Sequence, residues 1–158
     1  MSCAQETKPD DSVHHSGTTK LTREVTFQFT LSPTQYQSSL FAQCAGARRK
    51  CFNHHLGRVK ENMYVRSSEK QYCGASLTPS LSWSKFSLIN HFNAWKTGRD
   101  EDSPRNDDGT RGLSWRGEVP ESVFECASAD AAQALENWDT SRRGARKGPT
   151  VGFPQFST

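Results

Sequence analysis

The side chains best suited to chemistry in this 158-residue chain are cations gathered in two stretches. Residues 21–66 carry seven lysines and arginines against two acids, and residues 139–158 carry four against one. The net charge of the whole chain is only +3, because acidic residues collect between these stretches, at 100–108. Clustered cations bind nucleic-acid backbones by releasing counterions from the phosphates. The pattern favours contact with a polyanion, although basic helical faces can also be ordinary solvated surface.

Residues suited to catalysis or metal binding are few and scattered. The five cysteines contain no Cys-x-x-Cys pair and are odd in number, which fits neither a disulfide framework nor a zinc ribbon. His14 and His15 adjoin each other without a further ligand nearby, which favours ordinary surface residues. No nucleophile, base and orienting group stand at identifiable spacing. We therefore expect reduced thiols and neither a catalytic residue nor a metal or cofactor site. The cysteines are Cys3, Cys44, Cys51, Cys73 and Cys126.

The composition limits the size of the core and the location of the chain. Only 33% of the residues are hydrophobic, and the mean hydropathy is −0.80, so we expect part of the chain to remain unpacked. No apolar run is long enough to cross a bilayer, and residues 1–20 contain no signal-peptide stretch. These observations predict a cytoplasmic protein without a membrane partner.

Alternating residues predict one strand near the start of the chain. Val25, Phe27 and Phe29 alternate with polar residues at period two, which is typical of a half-buried strand. We assign this strand to residues 21–31. The polar residues 1–20 before it have no hydrophobic periodicity and are predicted to form a disordered leader.

A pair of helices is predicted to follow the strand. Ser32 is a suitable N-cap, Pro33 suits the first helical position, and Gln35 completes a Ser-x-x-Gln capping box. Gly46 offers a break after this first helix. A second helix is then predicted from Ala47 to about Met63, with one apolar and one positive face.

Two further helices are predicted downstream. Spaced apolar and aromatic residues between Leu81 and Trp95 indicate a third helix, which Gly98 ends. An acidic loop at 97–117 follows and is predicted to be mobile. The last helix opens at Pro120 and reaches Trp138. Residues 141–158 are then a basic linker that ends in an extended segment.

In this order, the segments resemble the N-terminal region of the TnpB proteins. These form the OrfB family of transposon-encoded RNA-guided nucleases, from which type V CRISPR effectors derive. The resemblance covers about residues 21–158. It is carried by REVTFQFTLSPTQYQSSL, AGARRKCFNHHL, the Val-Pro helix start, Ala134 with Trp138, and VGFPQF.

The resemblance implies an α+β, mainly helical fold. Residues 21–31 would be the first strand of a wedge β-barrel, which is incomplete here because the chain supplies only one or two of its strands. Residues 32–140 would form a small helical recognition lobe that contains a helix-turn-helix-like pair, and 141–158 would return to the wedge.

The same resemblance implies a function and its partners. In the family this region holds guide RNA, the heteroduplex with target DNA, and a short motif flanking the target. The RuvC-type nuclease and the zinc-binding part, which use Mg and Zn, follow this region, so we expect a downstream nuclease domain as a partner within the same protein. The location implied is the prokaryotic cytoplasm, in association with the nucleoid.

Particular residues can be assigned to these roles on the resemblance. In relatives an aromatic residue and a serine recognise the flanking motif, and they match Trp83 and Ser87. Glu121 and Glu125 stand where relatives have Lys and Gln. Carboxylates accept from the amino group of cytosine but repel phosphates, so we expect a different preferred motif. Trp83 could equally be a core aromatic. The residues expected to contact the heteroduplex are Arg48, Arg49, Arg58, Arg142, Arg143, Arg146 and Lys147.

Two other interpretations remain open at this stage. Residues 32–63 alone could form a stand-alone helix-turn-helix DNA-binding protein, although a lone strand at 25–29 and an extended end at 153–156 argue against it. The chain could also be a truncated remnant without independent function. An enzyme confined to these residues is the least favoured interpretation.

Overall fold

The computed structural model describes residues 26–158. The expected leader at 1–20, and Val25 of the expected strand, lie outside these residues. Residues 26–32 belong to a separate unit from residues 33–158. They form neither helix nor strand, and Phe27 and Phe29 are 74% and 83% exposed. The half-buried strand is therefore not confirmed in the described part of the chain, and neither is a wedge barrel.

The first helix, α1, spans Gln35–Cys73 without interruption. It begins at a capping box in which the Thr34 hydroxyl accepts from Gln37 N at 3.3 Å and the Gln37 side chain accepts from Thr34 N at 2.9 Å. The predicted box at Ser32 and Gln35 is therefore wrong by two residues, because the sequence contains two overlapping boxes of the same spacing. The helix ends at Gly74, whose φ of 74° suits glycine.

The predicted break at Gly46 is wrong in this structure. Gly46 lies inside α1, where a glycine costs only about 1 kcal/mol relative to alanine. Buried residues follow directly after it, beginning with Ala47 and Cys51. The packing of this stripe outweighs the small preference of one glycine for a turn.

Two shorter helices complete the fold. α2 spans Lys85–Lys96 and begins at Ser84, whose hydroxyl accepts from Ser87 N. A 3-10 turn at Arg116–Glu118 precedes α3, which spans Glu121–Arg142 and has Glu121 in its first turn, where the helix dipole favours an anion. Both helices were predicted, and the mainly helical class is confirmed.

α3 is the element that joins the other two. It packs extensively against both α1 and α2 through a face of mostly small and apolar residues. Trp83, just before α2, contacts Trp138 near the end of α3, while Lys96 at the end of α2 pairs with Glu121 at the start of α3. α2 therefore runs antiparallel to α3. The buried residues of α3 are Phe124, Ala127, Ser128, Ala131, Leu135 and Asp139.

The core consists of two clusters. One contains Phe92, Trp95 and Phe124 together with Leu113 and Val119 from the connection between α2 and α3. The other joins α1, α2 and α3, and Trp83 and Phe153 pack against it. Its buried members are Leu56, Val59, Leu88, Ala131 and Leu135.

The connection at 97–117 is folded back onto the end of α2. Leu113 N donates to Lys96 O at 2.9 Å, and an isolated antiparallel bridge joins Arg105 to Arg111. Gly98 and Gly112 lie where a Cβ would come within 2.5 Å of a backbone oxygen, and both have positive φ. Only glycine fits this crossing. The mobility of the loop stays a prediction.

A buried polar cluster lies between α1 and α3. Ser128 Oγ donates to the Phe124 carbonyl at 2.9 Å and lies 2.9 Å from His55 Nε2 and 3.4 Å from Cys51 Sγ. Burial raises the pKa of the Cys51 thiol to about 11 and lowers the pKa of His55 to about 3. Both groups are therefore neutral, so this cluster is a packed part of the core and not an activated nucleophile.

Gly46→Ala should raise the free energy of unfolding by about 0.5–1 kcal/mol, because α1 is continuous and a Cβ at this position meets no atom within 4 Å. Urea unfolding followed by circular dichroism measures this. Gly98→Ala is the matched control and should destabilise, since its φ is 83° and its Cβ would clash with Arg111. Destabilisation by Gly46→Ala would mean that α1 is broken there.

The buried histidines should make stability depend on pH. Burial lowers the pKa of His54 to about 4 and that of His55 to about 3, from 6.5. Between pH 5 and 6.5 the unfolded chain binds protons that the folded chain does not, so stability should fall as pH falls, by up to about 1.4 kcal/mol per pH unit for each histidine. The lowered pKa values of Glu69 and Asp139 affect the free energy of unfolding only below about pH 4.5, where unfolded carboxylates become protonated. Urea midpoints that stay constant from pH 7 to 5 would contradict the burial of these rings.

Candidate nucleic-acid interface

A cleft of about 520 Å³ opens between the C-terminal half of α1, residues 80–83 and the end of α3. We call it the tryptophan cleft. Three cations and two indoles contribute to its walls, and no carboxylate lines it. Its principal side chains are Met63, Arg66, Lys70, Trp83, Trp138 and Arg142.

Glu69 on α1 fixes the loop that leads into this cleft. Its carboxylate accepts from Leu77 N and Thr78 N, both at 2.8 Å, and from the hydroxyls of Ser76 and Thr78. The hydrogen bonds from Thr78 hold the pKa of this carboxyl below its usual range. One ionised side chain therefore satisfies the polar groups of residues 76–78.

Asn62 and Arg66 continue the same attachment. The Asn62 amide donates to Pro79 O at 3.1 Å and accepts from Leu81 N at 3.3 Å. Arg66 Nη1 donates to Thr78 O at 2.8 Å. Three residues on successive turns of α1 thus hold residues 76–81, and the segment delivers Trp83 to the cleft.

The two indoles meet edge to face. The ring centroids of Trp83 and Trp138 lie 6.2 Å apart, with a 66° angle between the planes. Phe153 packs against Trp138 with centroids 5.1 Å apart, and the Arg142 guanidinium lies 5.0 Å from the centre of the same ring. Both indoles are half-buried and line the open cleft, but Trp138 already has an aromatic ring and a cation packed against it.

The basic segment at the end of α3 is partly neutralised by its own helix. Arg142 pairs with Asp139 at 2.9 Å, and Arg143 pairs with the other oxygen of the same carboxylate. The hydrogen bond from Arg142 lowers the pKa of the Asp139 carboxyl. Arg146 and Lys147 are exposed, and no ion pair within residues 26–158 involves them. Within this basic segment, these two cations need not give up a partner to bind phosphate.

The predicted cations of α1 do not share one face. Arg48 Nη2 pairs with Asp130 on α3 at 2.6 Å, and Arg49 is exposed and reaches Ala45 O of its own helix at 3.4 Å. Arg58 is half-buried, and burial lowers the pKa of its guanidinium. At 100° per residue these positions spread around the helix. Their contact with nucleic acid stays a prediction.

Sequence reasoning missed Arg66 and Lys70. They are one helical turn apart on α1, and no ion pair in the described part of the chain involves either. Their spacing of four residues could have indicated a shared face of a helix. The predicted second helix ended near Met63, however, and so did not include them.

The four residues assigned to the flanking motif form two separate pairs. Trp83 and Ser87 lie at the start of α2, whereas Glu121 pairs with the buried Lys96 at its end. Glu125 is exposed one turn further along α3. At 1.5 Å per residue, the pairs lie about 20 Å apart.

The described residues contain neither a metal-binding cluster nor a membrane-spanning helix. Among residues 26–158 no three His, Cys, Asp or Glu side chains are grouped so as to hold a metal ion. No helix in the same range is both long and apolar enough to cross a membrane.

Comparison with known proteins gives a family. The model of the helix-turn-helix domain of OrfB proteins of the IS605 type matches residues 24–67, most of which lie in the single helix α1 in this structure. Two proteins of Mycobacterium tuberculosis, MT2953 of strain CDC 1551 / Oshkosh and Rv2885c of strain ATCC 25618 / H37Rv, are each 32% identical over 130 residues. Both are named "Putative RNA-guided DNA endonuclease".

The match covers 82% of this chain and 25% of each relative, so the chain spans about a quarter of their length. No solved structure matches. The matched domain and the two relatives together support the resemblance of this chain to the N-terminal region of the TnpB/OrfB family.

Proposed function

We propose that this chain binds nucleic acid as the part of an RNA-guided DNA endonuclease that holds guide RNA and its heteroduplex with target DNA. One observation carries the proposal. The tryptophan cleft, which no carboxylate lines, adjoins the basic segment 142–147 through Arg142, which belongs to both. Cations for phosphates and indoles for bases thus occur on one continuous surface.

A guide–target heteroduplex can be held by a protein surface that does not read its sequence. Its sequence is read by base pairing, so the protein needs cations that follow the backbone. Arg66, Lys70, Arg146 and Lys147 are the best suited, because they lie in the cleft or in the basic segment next to it and no acid in the described residues pairs with them. Arg48 and Arg143 would have to exchange an existing ion pair for a phosphate, so we expect them to contribute less.

Recognition of the flanking motif is assigned to one pair of residues. Successive base pairs rise 3.4 Å, so sites about 20 Å apart are about six base pairs apart. A short motif cannot reach both. We assign it to Trp83 and Ser87, because Glu121 is already paired with Lys96. Glu125 would then face a different part of the nucleic acid.

The catalytic chemistry of such a protein is assigned to residues outside this chain. The two relatives are named as putative RNA-guided DNA endonucleases, and we infer from the resemblance that the family's metal-dependent nuclease and zinc-binding parts lie outside these residues. The partners proposed are accordingly guide RNA, target DNA and a nuclease domain of the same protein, in the prokaryotic cytoplasm near the nucleoid. A stand-alone helix-turn-helix protein is disfavoured, because α1 has no turn at Gly46.

Arg146→Ala combined with Lys147→Ala should weaken binding of a structured RNA by about tenfold at low salt. For each phosphate that the double variant no longer neutralises, the slope of log affinity against log salt should become shallower by about 0.9. Fluorescence anisotropy at several salt concentrations measures both quantities.

The matched control is Arg99→Ala combined with Arg105→Ala, which removes the same charge from two exposed positions of the 97–117 connection. It should leave the slope unchanged. Equal losses in the two double variants would mean that net charge alone drives binding, and affinity indifferent to salt would refute the electrostatic interface.

A further inference from the structure

We propose that the tryptophan cleft binds one unpaired nucleotide of the nucleic acid, with the base against Trp83 and the phosphate against Arg66 and Lys70. This inference rests on the proposed function and adds a ligand of defined class to it. It differs from contact with a base pair, because it requires a free base face.

The size and lining of the cleft fit a single nucleotide. Its volume of about 520 Å³ lies in the range of about 300–1,000 Å³ usual for small-molecule sites. Met63 and Leu81 make part of the wall apolar, while Asn62, Ser67 and Ser80 supply polar groups. A flat heterocycle that carries a phosphate needs this combination of surfaces.

The indole surface in the cleft can stack on an unpaired base but not on a base within a duplex. In a duplex the faces of each base are stacked on its neighbours, and only the edges reach the grooves. A side chain can stack only on a base that has left that stack. Both indoles line the cleft, but Trp138 already contacts Phe153 and the Arg142 guanidinium, so we assign the base to Trp83.

The charges in the cleft favour a polyanion over an apolar peptide. Arg66 keeps guanidinium donors besides the one bound to Thr78 O, and Lys70 is exposed in the last turn of α1. Arg142 adds a third cation at the rim. With no carboxylate in the lining, nothing in the cleft repels a phosphate.

The walls of the cleft are also preorganised. Glu69, Asn62 and Arg66 hold residues 76–81 on α1 through hydrogen bonds of 2.5 to 3.3 Å. Trp83 packs against the second core cluster. Binding therefore need not order the walls, which reduces its entropic cost.

The test compares a fluorescein-labelled twelve-residue oligothymidylate with a duplex of the same length, using the full 158-residue chain. Trp83→Leu should weaken oligothymidylate binding by about tenfold, the effect of losing one base stack, and duplex binding by a smaller factor, since a duplex would meet Trp83 only at a flanking motif. Trp115→Leu is the matched control, because Trp115 packs against the first cluster. It should change neither affinity by more than about twofold. Equal affinity of Trp83→Leu and native chains for oligothymidylate would overturn the proposal.

Two further variants keep the proposal testable if Trp83→Leu does not fold. Trp83→Phe keeps an aromatic face and should retain affinity for oligothymidylate within about threefold. Lys70→Gln changes an exposed side chain and should lower that affinity by about threefold. If Trp83→Leu does not fold, unchanged affinity in Lys70→Gln decides against the cleft.

Intrinsic fluorescence separates this inference from the proposed function. Oligothymidylate should quench the native tryptophan emission, and most of this quenching should be lost in Trp83→Phe. Salt-dependent duplex binding without such quenching would refute the nucleotide site alone. Failure to bind either nucleic acid would refute both proposals.

Discussion

The packing of α3 against both other helices is the constraint on which the rest of this structure depends. Ala127 and Ala131 are fully buried, and their small side chains allow close approach. Phe124 and Leu135 fill the space on either side of them. Because α1 and α2 touch each other far less than they touch α3, this one helix determines where the ends of both lie. The tryptophan cleft exists because Trp138, on α3, meets a loop that α1 holds.

The segments outside the helices contain little regular secondary structure, but specific contacts hold them to the helices at defined points. Residues 76–81 depend on three polar side chains of α1, and the 97–117 connection depends on the close approach of Gly98 and Gly112. The C-terminal segment is held in a similar way. Asn53 donates to Ser157 O at 2.8 Å and accepts from Ser157 N at 2.7 Å. Side chains on α1 thus bind two irregular segments through their backbones, which fixes the course of those segments largely independently of their sequence.

Charge in this fold serves both structure and binding. Arg48 joins α1 to α3, and Arg142 and Arg143 share Asp139 at the end of α3. Exposed ion pairs of this kind contribute little stability, but each one occupies a cation that would otherwise be free for phosphate. A count of basic residues in the sequence therefore overestimates the surface available to a polyanion. The cations without partners in the described residues are the better guide to the interface.

The sequence by itself determined the local features of this protein. Capping boxes, glycine stops and apolar stripes predicted the helical class, α2 and α3, because these signals act within a few residues. The order of the motifs also gave the resemblance to the TnpB/OrfB family, which the matched domain and the two relatives support. The tertiary structure alone decided that α1 continues through Gly46, since the buried stripe from Ala47 onward gains its energy from α3, which lies far along the chain. It also decided that Arg48 pairs with Asp130 and that Arg66, Lys70, Trp83 and Trp138 share one cleft. Those contacts join positions far apart in the chain, and no periodicity encodes them.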